Sequence, residues 1–249
     1  MPLPSEMPPQ GKVIAHLFGV PLVWNGWSSL PLAELLAWLG LAWWAGRRSP
    51  RRTLPERLGI GLLSVPFLLG WEWLHNIAHA AASKFAGKPM DGLLILLGMP
   101  NCIYSLQNHR STSPRQHVTR ALGGPAFNTA AMVITRLLRR LTPPGSLARE
   151  MLDLSVSMNT FLAGASLLPL PGIDGGPILK WSLVEKGKST RDADAILRKV
   201  DLAISPALGG LALAWFRRRR WISGALAAFF AIVALAVGKS WMSGESREV

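Results

Sequence analysis

Two histidines four residues apart, His75 and His79, sit inside the apolar run WEWLHNIAHAAA from Trp71 to Ala82. On a helix that spacing puts both on one face, one turn apart, so two imidazoles can converge on a single divalent cation, zinc first among the candidates. The spacing alone leaves a second reading open, in which each is a buried histidine satisfied by a neighbour. A catalytic tetrahedral metal needs a third protein ligand and an open position. Ionisable residues are costly within apolar segments, which makes each of them a candidate. Asp174 stands out, because SLLPLPGIDGGPIL sets a carboxylate among prolines and glycines, where a helix must break and free backbone can line a cavity. The plainer account of the same residue is a turn or helix-end aspartate. Glu72 precedes Asn76 by four residues and His79 by seven, so the three project from nearly one helix face. A carboxylate there can orient a histidine from behind, approach a metal-held water, or serve structure alone. Asn128 and Asn159 are amides inside apolar segments, which can bond between helices or grip a substrate backbone.

The composition says what must position these groups. Apolar residues make up 49% of the chain, charged ones 16%, and the mean hydropathy is +0.27, values that favour a polytopic membrane protein over a soluble enzyme. The net charge is +13, yet the Lys and Arg residues cluster between apolar segments, where they anchor helix ends against anionic lipid. No nucleic-acid-binding motif accompanies them, so the expected partner is the lipid bilayer and not nucleic acid. The single cysteine, Cys102, excludes an internal disulfide and a Cys-built zinc site. No charged region leads into an uninterrupted apolar core between Met1 and Trp27, so no cleavable signal peptide is expected after the Pro-rich opening MPLPSEMPPQ.

Six apolar segments are expected to span: Ser28 to Gly46, Leu58 to Ala86, Ala121 to Thr135, Leu154 to Ile173, Leu202 to Phe216 and Trp221 to Gly238. The second carries the histidine pair in its later half and is long enough for a hydrocarbon layer of about 30 Å. The third is short for a lipid-facing span and must tilt, be flanked by snorkelling arginines, or pack inside the bundle. Many of the eleven tryptophans fall near segment ends, where an amphipathic ring gains from the interface, whereas Trp38 and Trp73 fit the core better. Lys and Arg divide fourteen against thirteen between the two sides, which leaves the orientation undecided. Between the second and third segments, Leu93 to Leu97 and Cys102 to Leu106 read as a short β-hairpin, or as a plain connecting loop. An open sheet edge is not tolerated in lipid, so a hairpin belongs at the interface or in a protein-lined cavity, where its edge could receive an extended peptide.

Three motifs in order, HNIAH at His75 to His79, GGPAFN at Gly123 to Asn128 and SLLPLPGIDGG at Ser166 to Gly176, resemble the site-2 protease family of intramembrane zinc metalloproteases. That family carries HExxH, G-P-x-x-N and N-x-x-P-x-x-x-L-D-G on three successive core helices, with a short sheet-like region between the first two motifs. The resemblance covers about Leu58 to Leu179. It implies zinc bound by His75, His79 and Asp174, a water-accessible cavity within the membrane, histidines nearer the cytoplasmic face, and residence in the cytoplasmic membrane of a prokaryote. The expected fold is an all-α polytopic membrane protein of about six transmembrane helices with a three-helix site-2-protease-like core and a small interfacial β-hairpin. Its expected parts are 1–57, a tail and first transmembrane helix; 58–179, the metal-binding core; and 180–249, a C-terminal loop and helical hairpin.

Two departures strike the hydrolytic machinery and spare the ligands. Asn76 stands where the family has the glutamate that takes a proton from the attacking water and hands it to the leaving amine, and an amide can do neither; losing a general base costs about 10²- to 10⁴-fold. Ser166 stands where the family has an asparagine that helps hold the substrate carbonyl. The resemblance therefore leads to a zinc-dependent intramembrane protease cleaving transmembrane segments, impaired or rewired; Glu72 is an available substitute base, or a residue that orients a histidine or serves structure. The alternatives are an inactive pseudoprotease that binds or regulates a membrane client, and a metal-handling membrane protein.

Overall fold

Short polar caps start several helices of this chain. In the computed structural model, residues 11–170 and 172–240 are described. They fall into two units, Met1–Ser166 and Leu167–Val249. The first holds strands β1 (Lys12–Leu17) and β2 (Val20–Trp24), helices α1 (Leu32–Arg48) and α2 (Leu54–Phe85), strands β3 (Gly92–Leu96) and β4 (Met99–Ile103), the short helix α3 (Leu106–Arg110), and helices α4 (Pro114–Leu141) and α5 (Leu147–Ser166). The second holds α6 (Gly175–Glu185), α7 (Thr190–Arg217) and α8 (Trp221–Ser240). Thr53 and Glu56 form a capping box at α2, the Thr53 N–H donating to the Glu56 carboxylate at 2.7 Å, and Ser113 with Gln116 repeats it at α4. The Pro-rich opening and the tail from Trp241, including Arg247, lie outside the described residues.

The hairpin expected between the second and third apolar segments is present as β3 and β4, but it belongs to a larger sheet of order β1-β2-β3-β4. The expected N-terminal tail is corrected here: residues 12–24 form an antiparallel hairpin, and β2 adds to β3 in parallel. Both hairpins turn on two residues with positive φ, Phe18–Gly19 and Leu97–Gly98, a turn whose twist matches that of paired strands. The Leu97 and Gly98 N–H groups donate to the Ser28 and Ser29 carbonyls at 2.7 and 3.1 Å, which fixes the second turn to the start of the first helical region. Val20, Leu22, Leu93, Ile95, Cys102 and Tyr104 form a core with Ala80 of α2, so the sheet rests against the later half of the helix that carries the histidines.

Helices α1, α2, α4 and α5 pack with their polar residues inward. The buried positions of α2 are Gly61, Ser64, His75, His79, Ala80 and Ser83, while Leu62, Leu63, Phe67 and Leu74 are exposed. In α4, Arg120, Asn128 and Thr135 are buried while Leu122, Val133, Ile134 and Leu137 face out. Helices in lipid pack through small and polar residues in this way, since hydrocarbon outside is as good a solvent for leucine as a protein core. Glycine lets the backbones approach: a Cβ at Gly61 would lie 2.7 Å from the Ala42 nitrogen, and one at Gly123 would lie 2.7 Å from the Ala78 oxygen. At the end of this bundle where α2 begins, Arg52 holds Glu150 through two bonds of 2.8 and 2.9 Å, and Arg48 and Arg139 both bond Asp153.

Two described helices are long and apolar enough to cross a membrane by length and composition, Leu54–Phe85 and Trp221–Lys239. The expected third segment, Ala121 to Thr135, is the central part of the 28-residue helix α4, so its shortness reflected charged ends and not a short helix. The expected fourth segment is shorter than the apolar run suggested: α5 stops at Ser166, and LLPL continues as non-helical chain. Pro169 cannot supply the N–H that a continuing helix needs. In the second unit, Ser205 of α7 donates to the Ala231 carbonyl of α8 at 2.9 Å, and Lys180 of α6 pairs with Asp194 of α7 at 2.8 Å. The fold is thus mostly helical with a four-stranded sheet, in place of all-α with one hairpin.

Candidate metal centre

One backbone carbonyl fixes, through two amides, the tautomer of His75 on α2. The Ser155 carbonyl can only accept, and the Asn159 side-chain amide nitrogen donates to it at 2.9 Å. Asn159 Oδ1 therefore faces Asn128, whose amide nitrogen donates to it at 2.7 Å. Asn128 Oδ1 is then left toward His75, and it accepts from His75 Nδ1. The His75 Nδ1 must carry the hydrogen, and its Nε2 presents a lone pair. His79 reaches the same state independently, its Nδ1 donating to the Arg120 carbonyl at 2.8 Å. The Gly124 N–H, 3.4 Å from that nitrogen, is the weaker contact. Two Nε2 lone pairs meet at 3.1 Å, an arrangement that repels until a proton or a metal cation lies between them.

Space has been left for such a cation. A Cβ at Gly124 would lie 2.5 Å from Nε2 of both His75 and His79, so the glycine of the GGP sequence keeps open the volume in front of both nitrogens. Both histidines are buried. The donor set fits zinc: two neutral imidazoles, tautomers fixed from behind by an amide oxygen and a main-chain oxygen, in an apolar surrounding.

Asn76 is half-buried one residue from His75, with both ends of its amide engaged. Its nitrogen donates to the Glu72 carbonyl at 3.0 Å, and its oxygen accepts from the Cys102 thiol on β4 at 3.5 Å. Cys102 was no part of the expected site. A lone thiol across a strand has no spacing signal that would tie it to position 76. Glu72 is half-buried one turn before Asn76 on α2. Asn128 and Asn159 are fully buried, and their polar atoms are spent on His75, on each other and on Ser155, the interhelical bonding that amides in apolar segments allow. Ser166 is buried at the end of α5, its hydroxyl donating to the Ala163 carbonyl at 3.4 Å. His109 and His117 pack with their ring centroids 4.5 Å apart, and His117 is buried.

In the second unit, Asp174 stands at the start of α6 without capping it through its side chain. The turn around it needs glycine twice. Gly172 has a φ of +82°, and a Cβ at Gly175 would collide with the carbonyls of Leu167 and Leu168. The Asp174 carboxyl is half-buried and carried on a tight, helix-starting turn.

No protein-family model matches the chain. A relative from Methanocaldococcus jannaschii, "Putative zinc metalloprotease MJ0611", is 32% identical over 83 residues, 33% of this chain and 42% of that protein, so the match spans less than half the length of the relative. Among solved structures, the site-2 protease from Methanocaldococcus jannaschii shares the fold with a TM-score of 0.51 at 14% identity, covering 91% of this chain and 94% of that one. The name of the first of these relatives includes zinc.

Proposed function

Because the chain belongs to the site-2 protease family, we propose that it is a multi-pass membrane protein of a prokaryotic cytoplasmic membrane whose histidine pair, completed by Asp174, holds zinc for hydrolysis of a transmembrane peptide. The observation that carries the reading is the pair of Nε2 lone pairs at 3.1 Å with the volume in front of them kept open by Gly124. Zinc bound there would supply a Lewis acid that makes a water nucleophilic near neutral pH. The chain's own residues do the rest. Asn128 and the Arg120 carbonyl hold the two rings in the ligating tautomer. Asp174 contributes a carboxylate on a turn that glycines make rigid. The β4 strand ends the described sheet, so an extended substrate segment could pair with it, and Ser166 stands where the family grips the substrate carbonyl.

The proton is the weak point. Asn76 cannot accept one, and its oxygen already receives the Cys102 thiol. In the active reading Glu72, one turn earlier on the same helix, takes the proton instead. That engaged Asn76 amide favours a second reading, a pseudoprotease that keeps the metal and the cavity and binds or regulates a membrane client.

The test is cleavage of a transmembrane substrate by the full chain in detergent, beside Asn76→Glu, Glu72→Gln and Asp174→Ala. Cleavage by the natural chain that Glu72→Gln abolishes supports the displaced base. Cleavage by Asn76→Glu alone, with a gain of about 10²- to 10⁴-fold, supports the pseudoprotease. An inert Asn76→Glu variant that binds zinc overturns the protease reading of this centre.

A further inference from the structure

Arg120 is fully buried, and its guanidinium donates to main-chain carbonyls and neutral side chains. We propose that Arg120 is a positioning residue that couples the loop carrying β3 and β4 to the metal-binding His79, an inference that rests on the zinc reading above. Its two ends do different work. The main-chain oxygen receives the His79 Nδ1–H at 2.8 Å and so sets the plane and tautomer of that ring. The guanidinium donates to the Lys88 carbonyl at 2.8 Å and the Pro89 carbonyl at 3.3 Å, just before β3. It also donates to Asn108 Oδ1 at 2.6 Å and Thr112 Oγ1 at 3.1 Å, just after β4, and it lies over the Tyr104 ring at 4.6 Å.

Both flanks of the loop therefore meet on one side chain. Asn108 closes the clamp by donating to the Pro89 carbonyl at 2.8 Å. A planar fork of five N–H groups can span four acceptors on two segments, and an ammonium cannot. A charge buried among neutral acceptors is expensive, and removing those acceptors strips it of its hydrogen bonds, so the loop and the first turns of α4 hold one position together. Displacing the loop pulls on the turn of α4 whose carbonyl holds His79. A segment pairing with the sheet is in this way sensed at the metal ligand.

The test uses the full chain in detergent with Arg120→Lys and, as a milder lesion, Thr112→Val, which removes one acceptor of the fork. Arg52→Lys, at the opposite end of the bundle, is the control for lost stability alone. Three readouts are compared: zinc affinity by chelator competition, the visible spectrum of the cobalt-loaded chain, and the nitrogen-15 signals of the His79 ring in metal-free protein. Arg120→Lys is expected to weaken zinc about 10- to 100-fold, shift the cobalt spectrum and speed exchange of the Nδ1 hydrogen, with Thr112→Val moving each in the same direction by less. Arg52→Lys lowers the melting temperature and leaves all three unchanged. Wild-type zinc affinity, spectrum and ring signals in Arg120→Lys overturn the inference. If the natural chain takes up neither metal, the zinc reading falls by itself. The ring signals of Arg120→Lys, or of Thr112→Val should the former fail to fold, then still decide whether Arg120 sets His79.

Discussion

His75 and His79 turn their Nε2 atoms to within 3.1 Å of each other while each Nδ1 donates to an oxygen, Asn128 Oδ1 in one case and the Arg120 carbonyl in the other. The tautomer of each ring is dictated from behind by a different helix-borne acceptor on α4. The front of the pair is thereby left as a two-nitrogen donor set.

Gly124→Ala places a methyl group 2.5 Å from both Nε2 atoms without replacing either ligand. Alanine favours a helix by about 1 kcal/mol over glycine, so the substitution does not weaken α4 through propensity. Zinc affinity is expected to fall by about 100-fold or more with helicity retained. Chelator competition and far-ultraviolet circular dichroism measure the two sides, and an alanine variant that binds zinc like the natural chain removes the assigned cradle.

Asn128→Leu strands the His75 Nδ1–H and Asn159 Oδ1 in the interior. An unsatisfied buried polar group costs about 1–3 kcal/mol, so thermal unfolding in detergent shifts downward and zinc binding weakens about 10- to 100-fold. Asn128→Asp keeps the acceptor for His75 but turns a second oxygen toward Asn159 Oδ1, so it costs stability yet is expected to retain more of the zinc affinity than leucine does. The reverse order would contradict the relay from Ser155 to His75.

Arg52→Met leaves Glu150 buried without its partner, which is expected to destabilise the fold by about 3–5 kcal/mol. The double variant Arg52→Met, Glu150→Leu removes both charges and is expected to recover most of that loss. Unfolding of the four chains in a double-mutant cycle measures it, and additive losses would show that the pair does not act as a unit.

Asp153 lies just before the apolar part of α5. Burial raises the pKa of its carboxyl, but the hydrogen bond from Arg139 and the charges of Arg139 and Arg48 outweigh that and hold it below the usual carboxylate value. Because the folded value lies below the unfolded value of about 3.9, the stabilisation is present in full above that pH and is lost as pH falls through the folded value. Acid unfolding followed by tryptophan fluorescence is expected to show this loss below about pH 4, and Asp153→Asn is expected to flatten it. A variant with an unchanged acid limb would place the pH dependence elsewhere.

Much of the site was legible because it depends on short-range spacing. The i, i+4 histidines and the motif order needed no tertiary information, and the β3–β4 hairpin is a local pairing. The joining of β1 and β2 to that hairpin was not legible, because the parallel β2–β3 pairing links residues about seventy apart and Lys12 to Leu17 is an exposed strand. The end of α5 at Ser166 was hidden by the apolar run LLPLPGI, whose hydropathy continues after its prolines have ended the helix. Arg120 read as a segment boundary, since its acceptors are mostly main-chain carbonyls and neutral side chains that no charge pattern reveals. The link between Cys102 and Asn76 crosses from strand to helix and leaves no periodic trace.

The most direct test of the account is the zinc content of the full chain purified in detergent, set beside His79→Ala and Asp174→Ala prepared identically. The account predicts about one zinc per natural chain, with the metal lost or exchanged far more readily in both variants. A natural chain that never takes up zinc, or an Asp174→Ala chain that holds it as firmly, would contradict the centre proposed here.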